Sequence, residues 1–222
     1  MIYFSKETLN FLTSLAKNND REWFNMHKED FISQVKLPFE LFISDLIEAL
    51  QPHFKLLTIT PKDAIFRIYR DVRFSKDKSP YKTKVSALVT PGGRKDRSSP
   101  GLYIEINGKE ARVYSGLYQL SSKQLRNVRT HISYNLETFH ALVTNKSFLQ
   151  TFGEVRGEKN KRIPKEFEED SRSQPLLFNK SFYYFSMIPS QTVLSPELIN
   201  KVVQVYLVAK PLSTFLYEGL DE

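Results

Sequence analysis

Between Ser5 and Lys17, Leu9, Leu12, Leu15 and Ala16 recur at three- and four-residue steps, so the chain opens with an amphipathic helix that Ser5 caps and Asn18-Asn19 end. Asp20 caps the next helix. Trp23, Phe24, His27, Phe31 and Val35 share its face up to Pro38, which is expected to break or kink it. Phe39, Phe42, Ile43, Leu46, Ile47 and Leu50 then continue the same stripe. At this spacing Trp23 and Phe24 read as core rather than as ligand-stacking residues. Gln51 to Lys62 holds two prolines and reads as a loop.

From Ile65 the period changes from helical to two. Ile65 to Phe74 reads as a strand with Phe66, Ile68, Arg70, Val72 and Phe74 on one side and Arg67, Tyr69, Asp71 and Arg73 on the other. A turn at Ser75–Pro80 returns the chain along Tyr81 to Val89, with Tyr81, Thr83, Val85, Ala87 and Val89 alternating on one side. Thr90 to Pro100 is loop, either a flap over the basic hairpin or an exposed connection. Gly101–Asn107 and Glu110–Tyr118 form a second hairpin about Asn107-Gly108. A capping box at Ser121-Ser-Lys-Gln124 starts one long helix with Leu125, Val128, Ile132, Leu136, Phe139 and Val143 as its apolar face. A shorter helix through Phe148 and Phe152 ends at Gly153, Glu154 to Gln174 is irregular, and Ser181 to Met187 can add a strand. Ser195-Pro196 starts a final helical region, with Pro211 opening a last short helix. The expected fold is one α+β domain over residues 1–222. Its antiparallel β-meander of about four to five strands is packed with helices from both ends of the chain.

The 222 residues are 41% apolar and 13% aromatic, enough for a sizeable core. No apolar run approaches the roughly 20 residues needed to span a bilayer, and the start lacks a signal-peptide core, so a cytoplasmic location without membrane association is expected. The chain has no cysteine, which removes disulfides, thiol nucleophiles and cysteine-type zinc sites. His27, His53, His131 and His140 show no metal-ligand spacing. Walker, dinucleotide and Gly-x-Ser-x-Gly patterns are missing, so no cofactor is expected.

Net charge is +7, and +5 of it falls within Phe66–Lys84, where seven cations meet only Asp71 and Asp77. A guanidinium at Arg70, among apolar neighbours, requires a carboxylate or carbonyls around it. Asp71 is placed to orient Arg73 and to feel Arg67. The returning segment brings Lys76, Lys78, Tyr81 and Lys82 toward those arginines. Arg67, Arg70, Asp71, Arg73, Lys76, Asp77, Lys78, Tyr81 and Lys82 therefore form the candidate site. The cations around Asp71 and Asp77 oppose a metal ion there. Tyr81, its phenolate favoured by nearby cations, and Lys78, if desolvated, are the weak candidates for acid or base. Glu105 and Glu110 are candidate partners for the arginines.

The pattern Arg67-x-x-Arg70-Asp71-x-Arg73-Phe74-x-x-Asp77-Lys78-x-x-Tyr81 resembles the signature of a bacterial family, domain of unknown function 2461. The likeness extends to Asn18–Phe24 and Lys210–Leu216. The resemblance implies no activity, substrate or catalytic residue. The residues themselves point to a protein that binds a phosphate- or carboxylate-bearing small ligand. The alternatives are an enzyme acting on an anionic substrate, a nucleic-acid-binding module, and an interaction protein with an acidic partner. Nothing in the sequence specifies an oligomeric state.

Overall fold

In the computed structural model, which describes residues 1–220, the strands β1 (Lys84–Val89), β2 (Leu102–Asn107), β3 (Glu110–Leu117) and β4 (Phe182–Pro189) form one antiparallel sheet. Their order is β1-β2-β3-β4, and with the surrounding helices this makes an α+β fold with a β-meander. Membership of the meander differs from expectation at its first strand. Ser181–Met187 supplies the fourth strand, while Ile65–Phe74 stays outside the ladder and meets the chain only at two antiparallel bridges, Ile65 with Ala87 and Tyr69 with Tyr81. Four residue steps from Tyr69 back to Ile65 therefore face six from Tyr81 to Ala87. The surplus of two is a bulge that interrupts pairing and puts Thr83 in solvent, against its expected place beside Tyr81 and Val85.

The described residues divide into two compact units, one of 1–96, 103–113 and 187–203, the other of 97–102, 114–186 and 204–220. Among them, no helix is long and apolar enough to cross a membrane.

In the first unit, Ser5 and Thr8 close the capping box of helix Lys6–Lys17, and the Asp20 carboxylate accepts from the Trp23 N–H at 2.8 Å to start helix Arg21–Met26. Pro38 neither breaks nor ends the run. A π-helical turn, Ile32–Lys36, widens the backbone just before it, and Pro38 enters in the first turn of helix Leu37–Leu50, where its missing N–H costs little. That helix buries Phe39, Phe42, Ile43, Leu46 and Leu50, with Phe4 edge-on to Phe42 at 5.4 Å. Gln51–Lys62 is less irregular than expected. It contains a 3-10 turn, Gln51–His53, and leads into helix Pro61–Ala64, which Thr60 and Asp63 cap. The loop after β1 is anchored on that helix, Arg94 donating to the Lys62 carbonyl. Gly93, at φ +67°, lies so close that a Cβ would fall 2.7 Å from the Asp63 carbonyl oxygen. The Asn107-Gly108 turn forms as expected, the Asn107 side chain accepting from the Lys109 and Glu110 N–H groups at 2.8 and 3.1 Å.

In the second unit the single long helix expected from Leu125 to Val143 is two, Ser122–Tyr134 and Leu136–Val143. Asn135 interrupts it at φ −130°, its side-chain amide donating to the His131 carbonyl at 2.9 Å in place of the helical bond. Pro211 is likewise no boundary but lies inside Leu198–Glu218. The Leu207 carbonyl, four residues back, loses its donor on an exposed part of the helix where water can serve. The core here is built around Tyr184, fully buried, its hydroxyl donating to the Ala209 carbonyl at 2.9 Å and its ring edge-on to Phe148 and Phe152.

Candidate functional site

The basic stretch folds back on itself within the first unit. Backbone bonds from Phe66 N–H to Ser86, Arg70 N–H to Pro80 and Lys82 N–H to Ile68 carbonyls, all 2.8–2.9 Å, hold its two limbs together around the bulge. Alternation survives without a regular strand: Ile68 is buried and Phe66, Arg70 and Val72 are half-buried, while Arg67, Tyr69, Asp71 and Arg73 face water. Phe74 departs from this pattern and is 97% exposed, because the chain has already entered its turn there.

Eight of the nine candidate residues separate into three groups with different tasks, and Lys76 stands exposed outside them. Arg70 pairs with Asp77 and donates to the Ser75 hydroxyl at 3.4 Å. Asp77 also accepts from the Ser79 N–H and hydroxyl at 2.9 and 2.6 Å, and those bonds, ahead of Arg70, hold its carboxyl well below the usual range. Lys78 donates to the Val72 carbonyl at 3.0 Å. Arg70, Asp77 and Lys78 are thus braces of the turn, and an anion expected between Arg67, Arg73 and Lys78 would find Lys78 engaged with backbone.

Tyr81 belongs to packing. It is 3% exposed, stacks on Phe24 at 4.0 Å with 17° between the rings, and has Tyr69 at 5.2 Å. Asn19 clasps its backbone from both sides, donating to the Tyr81 carbonyl at 2.9 Å and accepting from its N–H at 3.1 Å. Burial pushes the phenol pKa up, with Tyr69 adding to it, which corrects the expectation that cations stabilise the phenolate.

Arg73, Arg67, Lys82 and Lys84 form a row. Arg73 donates from Nε and Nη2 to the Asp71 carboxylate at 3.0 and 2.7 Å, so one edge of its fork is fixed and the other stays open. That contact, followed by the charges of Arg73 and Arg67, brings the Asp71 carboxyl down to about 2. Arg67 in turn lies near enough to Lys82 to lower the Lys82 pKa, after the larger effect of burial and ahead of Lys84. Lys82 rests its ammonium 5.3 Å from the Phe66 ring centre. Lys84 pairs with Glu105, which the strand pattern offers to an arginine but which lies 5% exposed beside the lysine. Glu110 pairs with Arg112. Along Arg73, Asp71, Arg67, Lys82, Lys84 and Glu105, four cations face two carboxylates. Among the described residues, no carboxylate forms an ion pair with Arg67, Lys82 or Lys76, and the first two sit together at the centre of the row.

Sequence reasoning placed Arg67, Lys82 and Asp71 in the site but did not separate them from the turn braces. It also took the Phe66 ring as strand core and did not give Glu105 to Lys84. Among the described residues, no cluster of three or more His, Asp or Glu side chains is arranged to hold a metal ion. A family model described as "Conserved hypothetical protein (DUF2461)" matches residues 7–215. No curated protein matches the chain.

Proposed function

We propose, starting from the fact that the chain belongs to the DUF2461 family of conserved hypothetical proteins, that it binds a small phosphate- or carboxylate-bearing ligand at the centre of the basic row. The observation that carries this reading is the adjacency of Arg67 and Lys82 without an ion-paired carboxylate on either. Two cations in mutual repulsion, one of them partly desolvated, are stabilised by an anion between them. Arg73 adds the open edge of a guanidinium whose orientation Asp71 already sets, so less rotamer entropy is lost on binding.

Calorimetric titration with inorganic phosphate and with succinate tests this. Arg67→Ala and Lys82→Ala are each expected to weaken binding of the preferred anion at least about tenfold, the size of one charge-assisted hydrogen bond. Lys76→Ala, which removes an exposed cation outside the row, should change it less than about twofold. Equal affinities in all three variants would remove the row as the site.

One observation supports an enzyme as the second reading: the Lys82 ammonium is partly desolvated against the Phe66 ring, the property the sequence suggested for Lys78. Lys82→Arg keeps charge but no proton-transferring amine. Loss of turnover in a phosphoester and acyl-compound screen, with anion affinity retained in Lys82→Arg, would favour catalysis over simple binding.

A further inference from the structure

A groove lies in the first unit on residues that the basic row does not use. Glu7, Phe11 and Ser14 follow one another at four and three residues along Lys6–Lys17, and Trp23, His27 and Asp30 repeat that spacing along the next helical run. One face of each run therefore lines a groove of about 390 Å³, completed by three side-chain amides. No lysine or arginine lines it, in a chain with 32 of them. Its two acidic side chains, Glu7 and Asp30, set it apart from the donor-rich basic row.

The groove is also pre-shaped. The Trp23 and His27 rings stack at 4.2 Å and 21°, and Phe11 lies 5.6 Å from the indole. His27 Nδ1 is 2.8 Å from the Trp23 carbonyl oxygen, which can only accept, so Nδ1 carries a proton. In the neutral ring Nε2 is then an acceptor, and it has no hydrogen-bond partner among the described residues. Asp30 has no ion pair among them either. The Ser5 hydroxyl, ahead of the backbone, holds the Glu7 carboxyl below its ordinary range.

We propose that this groove binds a small organic cation, an ammonium or guanidinium group on a short apolar stem. Asp30 supplies the counter-charge, His27 Nε2 accepts an N–H, and Phe11 and Trp23 flank the stem. A neutral polyol could bond to the amides but would make no use of the two carboxylates. The site does not rest on the anion-binding reading, and either can fail alone.

Trp23 is the single tryptophan of the chain, so its fluorescence reports on this groove directly. The intact protein is titrated with putrescine and agmatine, and with 1,4-butanediol and glucose as uncharged counterparts, with calorimetry on the same pairs as a second readout. Saturable binding of at least one cation is expected, with neither uncharged compound binding comparably. Asp30→Asn should weaken cation binding at least about tenfold at an unchanged melting temperature, and Glu7→Gln should weaken it less. No saturable cation binding by either readout, binding of butanediol or glucose as tight as that of the cations, or an unaltered affinity in Asp30→Asn would overturn the assignment.

Discussion

Asp71 shows how one exposed carboxylate can carry positional information. Its carboxyl titrates at about 2 rather than 3.8 because Arg73 donates to it through side chain and backbone, with Arg67 contributing charge. We predict that Arg73→Ala returns the Asp71 pKa most of the way to 3.8, read by carboxyl carbon NMR titration; a value still near 2 would mean that Arg67 holds it. The folded-state pKa lies below the unfolded one, so the unfolded chain binds the proton more readily between the two. The stability linked to this pair is therefore complete above about 3.8 and is lost as pH falls through about 2. Being exposed, the pair adds little to global stability. Its effect lies in fixing the Arg73 plane. Asp77 shifts in the same direction for a different reason, since Ser79 closes the turn on it before Arg70 is counted.

The elements explain why some residues with reactive side chains carry scaffold tasks. Tyr81 bridges Tyr69 across the bulge, stacks on Phe24 and is clasped by Asn19, so the basic limbs are tied to the N-terminal helices through it. Tyr81→Ala is expected to destabilise the protein by about 3 kcal/mol, the usual cost of emptying a buried aromatic site. Tyr81→Phe keeps the ring and should cost under about 1.5 kcal/mol. Urea denaturation compares the two, and a Tyr81→Phe effect as large as that of Tyr81→Ala would show that the hydroxyl, not the stack, matters. In the second unit Gly116 plays a comparable part for the sheet. It sits at φ +96°, and a Cβ there would fall 2.1 Å from the Phe182 carbonyl oxygen on β4. Gly116→Ala should lower stability by about 2 kcal/mol or more, combining left-handed strain with displacement of the neighbouring strand. A melting temperature matching the parent protein would contradict that close approach.

Across the whole molecule, a charge of +7 makes nucleic acid the obvious rival partner. Four row cations engaged on duplex phosphates would give a salt slope of about −3.6 in log affinity against log salt. A carboxylate stands toward each end of that row, however, and Asp71 and Glu105 would meet a phosphate backbone laid along it. A small anion at Arg67 and Lys82 avoids both. We therefore predict a duplex slope shallower than about −2 and affinity no tighter than the nonspecific range, measured by fluorescence anisotropy at two salt concentrations. A slope near −3.6 that Arg67→Ala and Lys82→Ala each reduce by about one would establish backbone tracking instead.

What the sequence determined by itself was what neighbouring residues decide. Caps at Ser5, Asp20 and Ser121, the stop at Gly153 and the Asn107-Gly108 turn all act over two to four residues, and each stands where local chemistry put it. The Asp71–Arg73 pair belongs to the same class. Period-two patterning likewise marked the strand segments, and so the α+β class. Tertiary structure decided whatever depended on distant partners. Ile65–Phe74 has strand composition but lost its ladder because the facing limb is two residues longer, a surplus visible only once the limbs are paired. Pro38 and Pro211 stayed inside helical runs because a π turn and an exposed carbonyl absorbed their missing donors. Trp23 and Phe24, adjacent and alike in pattern, separated into a groove wall and a buried ring stacked on Tyr81. The site divided in the same way: composition brought seven cations into one stretch, but only folding decided which of them meet a carboxylate. Ion pairing depends on separations of a few ångströms, and sequence order does not encode those separations across a bulge.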